Sequence, residues 1–318
     1  MVKKESKQEN NSFSLIAIIG IVFLVVFIVL PVLFISLIFV AGSFSGDSYS
    51  SGNVALLKVD GVIMTQSQSD IFGQSNGVSS TRMVEIIDSI AADDSIKAIM
   101  IEINSPGGSG VASDEITTAL RQSGKPVVSY IREVGASGAY WIASASDRIY
   151  ANKFSTVGSI GVIASYLDFS GLIADYNVTY QRFVAGENKD FGTPFRQVTP
   201  EQDENFQEQL DILHQAFIQE VAIGRSMSVE QITVLADGSI YTGIQSVQNG
   251  LIDEIGGKKE ATDYLKTTLE LDNVQLIEYI DQVSFFDLLG GYIAQHGFSI
   301  GKGVVSKPLV ENSFSIKT

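Results

Sequence analysis

Cysteine is absent from the 318 residues, which excludes disulfides, a thiolate nucleophile and cysteine-ligated zinc. Histidine is nearly absent too: His214 and His296 are the only two, so a serine nucleophile would have little choice of the usual imidazole base. Positive charge is missing between Lys7 and Lys58. The whole chain carries a net charge of −15, and the residues after its long apolar run hold 18 basic against 34 acidic side chains. Such a surface argues against nucleic acid and anionic lipid headgroups as partners.

What fills the gap in positive charge is an uncharged stretch of 26 residues, Leu15 to Val40. It is long enough to cross a bilayer with some tilt, and Pro31 is a candidate kink. A cleavable signal peptide is the alternative, with Ala41-Gly42-Ser43 as small residues for cleavage, but its apolar part is usually only about 7–15 residues. Lys3, Lys4 and Lys7 precede the run, so the positive-inside rule puts the amino terminus in the cytoplasm and the rest outside. The expected organisation is an arm (1–14), a transmembrane anchor (15–40), a Ser/Gly-rich spacer (41–53), one globular domain (54–280) and a carboxyl-terminal extension (281–318).

Within the domain, short apolar runs alternate with helical patterns. Strands are predicted over 54–63, 96–103, 126–131, 148–152, 159–164, 179–184 and 274–280, and helices over 82–92, 110–121, 138–145, 228–236, 244–249 and 259–271. An amphipathic stretch is expected near 285–294. Thr199-Pro-Glu-Gln202 is a capping box with proline at the first helical position. It opens a long helix whose stripe is Phe206, Leu210, Leu213, Phe217 and Val221. This is an α/β rhythm with a mostly parallel sheet.

Ser137 sits in Gly135-Ala-Ser-Gly138, between a predicted strand and a predicted helix, where free N–H groups favour developing negative charge. A serine there also makes an ordinary helix cap. Asn104-Ser-Pro-Gly-Gly108 follows the most apolar strand; the N–H groups of Gly107 and Gly108 could hold an oxyanion, or the motif could be a plain turn. His214 borders the long helix's apolar stripe and neither histidine has an evident acidic partner, which leaves Lys189 as the candidate base. A lysine is a base only when neutral, a form that burial or nearby positive charge favours. Adjacent Asp190 would oppose this unless an extended segment turns it away.

Ala136-Ser-Gly-Ala-Tyr140, Asn104-Ser-Pro-Gly-Gly108, Gly158-Ser-Ile-Gly-Val162, Lys189-Asp190 and Ala236-Asp-Gly-Ser-Ile-Tyr-Thr-Gly243 together resemble the motifs of the bacterial signal peptide peptidase A family. The resemblance runs from about Val54 to Leu271 and includes the anchor. It implies an α/β Clp protease/crotonase-like fold with one amino-terminal transmembrane helix, Ser137 as nucleophile, Lys189 as general base, Ser159 holding the lysine, and Gly107 or Gly108 in the oxyanion hole. It further implies a serine endopeptidase acting on remnant signal peptides and other hydrophobic extended peptides outside the bacterial cytoplasmic membrane. No cofactor or metal is expected. The expected partner is a second copy of the chain, in a homo-oligomer whose sites draw serine and lysine from neighbouring protomers. Ala139 and Trp141 stand where many members have Gly and Tyr. Two other readings remain on sequence grounds: a crotonase-like acyl-CoA enzyme and a non-catalytic membrane scaffold.

Overall fold

A computed structural model describes residues 17–34, 36, 52–66 and 77–279. The arm 1–14, the amphipathic stretch near 285–294, His296 and the extension 281–318 lie outside the described residues. The chain divides into two units, residues 1–50 and 51–318.

The first unit contains helix α1 (Ala17–Phe34), 18 residues with a mean hydropathy of 3.3, long and apolar enough to cross a membrane. At 1.5 Å per residue such a helix covers about 27 Å, close to the hydrocarbon thickness. Val25–Val29 forms one π-helical turn, closed by the Leu30 N–H donating to the Val25 carbonyl. Pro31 follows immediately. Its ring would press on the Phe27 carbonyl in a regular α-helix, and the wider turn relieves that clash.

The second unit is built on a nine-stranded sheet in the order β2-β1-β3-β4-β5-β8, with β9 on β1 and β6 joining β4 to β7. The strands are β1 (Val54–Met64), β2 (Gly77–Ser79), β3 (Ala98–Gly108), β4 (Val127–Ala136), β5 (Arg148–Ala151), β6 (Thr156–Gly158), β7 (Ile240–Thr242), β8 (Glu254–Ile255) and β9 (Leu276–Glu278). All pairings are parallel except β6 with β7.

Strand periodicity divides the central strands between two cores. Leu57, Val59, Ile99, Ile101, Ile103 and Ile131 face one side, where α2 (Ser80–Ala92), α3 (Gly110–Gln122), α4 (Gly138–Ser144) and α6 (Pro200–Arg225) cover them through Ile87, Ile116, Ile142 and Phe217, among others. Leu56, Met100 and Val128 face the other side, under Ala261 and Leu265 of α9 (Lys258–Thr268). The almost unbroken apolarity of β3 follows from burial on both faces. Trp141 of α4 stacks on Phe217 of α6 with ring centroids 4.8 Å apart, and Tyr140 donates its hydroxyl to the Leu251 carbonyl at 2.7 Å. The two ends of the domain meet: Asn53 donates to the Gln275 carbonyl at 2.9 Å, and its side chain accepts from the Gln275 N–H at 2.9 Å.

Two predicted strands are not strands. Residues 159–164 are irregular, the strand having ended at Gly158 and Ser159 turning to φ 50°, and 179–184 are irregular as well. Between them lies a short helix, α5 (Ser170–Asp175). Apart from half-buried Ile173, the stretch 162–184 exposes its apolar side chains, Ile163 to 87% and Phe183 to 91%. Apolar alternation there satisfies the strand pattern, but among the described residues no neighbouring strand completes the ladder. The stripe on α6 behaves similarly: Phe217 and Val221 are buried, whereas Leu213 is exposed.

Candidate active site

The Ser105–Gly135 pairing sets the ends of β3 and β4 side by side. Past Ala136 the chain turns sharply into α4, and Ser137 at the turn has φ 53° and ψ −127°. A non-glycine residue is rare in that region and costs about 1–3 kcal/mol, a strain found mainly where function requires it. Its side chain makes no capping hydrogen bond to α4. The ordinary-cap alternative is thereby removed, and the hydroxyl is not engaged by the helix it precedes. The turn is fixed instead by the backbone, with the Ser137 N–H donating to the Gly158 carbonyl at 2.8 Å and its carbonyl accepting from Trp141 N–H at 3.0 Å.

Gly107 has φ +100°, and a Cβ there would lie 2.8 Å from the Ala136 carbonyl oxygen, from the Gly138 nitrogen and from the Ser137 Cβ. Only glycine lets β3 come this close to the serine turn. The Gly107 N–H is accepted by the buried Ser105 Oγ at 3.0 Å, so Gly107 brings its Cα rather than its amide to the site. Gly108 brings the amide: its nitrogen lies 3.4 Å from the position a Cβ on Gly138 would take. Ser109 N–H is held by the Ile63 carbonyl at 2.8 Å, and since successive N–H groups of a strand alternate in direction, that of Gly108 faces away from β1. Gly138 is the first residue of α4, so its N–H has no acceptor within the helix. Two amides thus flank the serine. Gly138 was not singled out as a donor from the sequence, although a glycine at the first helical position beside a serine was the available signal.

Ser159 also has a positive φ, 50°, and follows directly on the Gly158 carbonyl that holds Ser137. Lys189 lies in a turn closed by its own N–H donating to the Gly186 carbonyl at 3.1 Å. It is exposed, and its ammonium makes no hydrogen bond or ion pair among the described residues. Within one chain, then, the structure gathers Ser137, Gly107, Gly108 and Ser159, while no hydrogen bond links Ser137 to Lys189.

Asp190 does not lie in an extended segment; residues 187–192 form turns. Its carboxylate accepts from Arg182 at 2.8 and 3.0 Å and from Arg196 at 3.0 and 2.9 Å. These two guanidinium groups hold the carboxyl well below its usual range. Arg196 also donates to Gln202 Oε1 at 3.0 Å, and Gln202 donates to Asn188 at 2.7 Å. Since Gln202 belongs to the capping box of α6, the lysine turn is tied to the start of that helix. His214 lies on α6, with Nε2 buried and unpartnered among the described residues, and takes no part in a Ser–His pair.

Residues 119–272 match the family model described as peptidase family S49. A protein of Enterococcus faecium named as a candidate signal peptide peptidase SppA is 34% identical over 254 residues, covering 78% of this chain and 74% of the relative. A Methanocaldococcus jannaschii protein named as a candidate protease is 31% identical over 293 residues, 90% of this chain and 93% of the relative. Protease 4 of Haemophilus influenzae is 33% identical over 213 residues, 66% of this chain and 34% of the relative.

Proposed function

The chain belongs to peptidase family S49, is of the signal peptide peptidase A kind and is a serine-type peptidase with a ClpP/crotonase-like fold; on that premise we propose that it is a membrane-anchored endopeptidase working through Ser137 and Lys189. Ser137 Oγ attacks the peptide carbonyl, Lys189 takes the hydroxyl proton and passes it to the leaving amine, and the N–H groups of Gly108 and Gly138 receive the oxyanion. Water deprotonated by the same lysine then hydrolyses the acyl-enzyme. The observation that carries this reading is Ser137 itself: a strained, non-glycine turn residue, its hydroxyl unused as a cap, with two backbone amides beside it.

The base comes from a second copy. In support stand the exposed ammonium of Lys189 and the apolar surface along 162–184, which a neighbouring chain would cover. Hydrophobic, extended substrates such as remnant signal peptides suit the exposed Val62, whose register partner is Gly107, and Val111 just past Gly110. On this reading the apolar run 15–40 anchors the chain in the cytoplasmic membrane, and Lys3, Lys4 and Lys7 keep the amino terminus inside and the catalytic domain outside.

The test is a fluorophosphonate probe with a hydrophobic peptide reporter. Wild type should label at Ser137 and cleave, and Ser137→Ala should do neither. Cleavage retained by Ser137→Ala, or labelling at another serine, would overturn the assignment. Wild type that neither labels nor cleaves would favour the scaffold.

A further inference from the structure

The motif Ala236-Asp-Gly-Ser-Ile-Tyr-Thr-Gly243 has no role in the chemistry above, yet it lies along the turn that serves the nucleophile. The Ser239 carbonyl accepts the Ser159 N–H at 2.8 Å, and the Gly238 N–H donates to the Ile160 carbonyl at 3.2 Å. β7 pairs with β6 so that Ile240 opposes Gly158 and Tyr241 opposes Val157. Gly158, at φ +98°, is covered by the Tyr241 ring: a Cβ there would lie 2.9 Å from the ring and 3.2 Å from the Ser239 carbonyl oxygen. Three consecutive residues, 158 to 160, are therefore each held by the strap 238–241.

The strap is itself anchored. The Tyr241 hydroxyl donates to the Leu235 carbonyl at 3.3 Å, its ring packs against the larger core, and Asp237 Oδ1 accepts the Ser239 N–H at 2.9 Å. Such support is what the turn needs. Gly158 and Ser159 both hold positive φ, and a serine in that conformation persists only where its surroundings over-determine it. The Gly158 carbonyl is also the acceptor for the Ser137 N–H, so a displacement of the turn moves the nucleophile.

We propose that the strap Asp237–Tyr241 positions the catalytic serine and Ser159 together, with Tyr241 as its positioning residue. The inference rests on Ser137 being the nucleophile. Tyr241 touches neither substrate nor reacting atoms; it acts through Gly158. The strap's effect belongs to the alignment of the attack, where a displacement of about 1 Å can cost up to about 100-fold in rate.

The experiment uses the full-length protein in detergent micelles, with active sites counted by the fluorophosphonate probe. Tyr241→Ala should lower kcat per titrated site at least about tenfold while KM stays within about twofold. The probe's labelling rate should fall in parallel, and Tyr241→Phe, which keeps the ring over Gly158, should recover most of the loss. Asp237→Ala removes only an exposed turn acceptor, so it tests the strap even if Tyr241→Ala fails to fold; kcat should fall about threefold. Wild-type kcat and labelling rate per site in Asp237→Ala and in any folded Tyr241→Ala would overturn the strap, as would a loss confined to KM or to the number of titratable sites. Failure of wild type to label at Ser137 would instead overturn the nucleophile on which the strap depends.

Discussion

Ser137 and Gly158 are joined by one backbone hydrogen bond of 2.8 Å, from the serine N–H to the glycine carbonyl. Through it the end of β4 is tied to the turn after β6. The strain at Ser137 is held from outside its own helix, and the hydroxyl stays unencumbered. Lys189 stands on a different support, the arginine-clamped turn before α6.

Mixing inactive variants separates a shared site from a self-contained one. Ser137→Ala and Lys189→Ala should each lose peptide cleavage, and co-assembled mixtures should recover part of it, because some sites then combine an intact serine with an intact lysine. No recovery after demonstrated subunit exchange would place both residues in one chain's site.

The apolar stretch is predicted to matter for assembly and not for the fold of one chain. Ile163→Ser and Phe183→Ser remove side chains that are exposed, so each should leave thermal unfolding within about 0.5 kcal/mol of wild type. Light scattering should show smaller particles, with cleavage lost in proportion. Unchanged particle size in the double variant would remove this surface from the assembly.

Gly107→Ala should be inactive. The added Cβ would meet three atoms at 2.8 Å and the residue holds φ +100°, so a backbone shift at the serine turn is unavoidable. A stability loss of about 1–3 kcal/mol is expected beside the catalytic defect. A cleavage assay with chemical denaturation measures both, and full activity would exclude the close approach of β3.

Asp190→Asn should loosen the lysine turn, lowering kcat about tenfold by misplacing the base. The sign of its pH dependence follows from the clamp. A carboxyl held below the value of 3.8 by two arginines contributes stability that is present above that value and is lost as pH falls through the lower, folded one. Limited proteolysis between residues 186 and 196 should therefore stay slow in wild type down to pH 4, and Asp190→Asn should be cut faster already at pH 7. Equal rates at pH 7 would sink the clamp.

Tyr140→Phe should cost about 1–3 kcal/mol, because it leaves the buried Leu251 carbonyl without its donor. Burial pushes this phenol above its ordinary range, which favours the neutral form that donates. Chemical denaturation of the two proteins measures the difference, and a larger loss would point to a wider rearrangement of α4.

Most of the scaffold was legible because its elements obey their own periodicity. β1, the strand core of β3 and helices α2, α3 and α6 fall where apolar spacing and caps place them. Thr199, Ser228 and Thr242 each accept from a backbone N–H three residues on. β2, β7 and β8 are two or three residues long and carry too little pattern to read. At the site, Ser137 and the Gly107–Gly108 pair were legible as residues beside turn glycines. Their mutual approach, the positive φ of Ser137 and Ser159, and the amide of Gly138 were not, because dihedrals and strand-end contacts are tertiary facts. The face along 162–184 carries strand-like apolar alternation yet is exposed, because local pattern does not say whether a neighbouring strand is there to pair with it.

The meeting of Asn53 with Gln275, and of β1 with β9, gives the domain a timetable. The outer edge of β1 over Val54–Leu56 is completed only by Leu276–Glu278, more than two hundred residues downstream. At a synthesis rate of about 5–20 residues per second, that edge waits on the order of 10–40 s for its neighbour. Open strand edges template wrong pairings, and contacts so distant along a chain form slowly. The nascent domain therefore passes through an interval in which its first strand is half-paired, open to holding factors or to a second nascent copy.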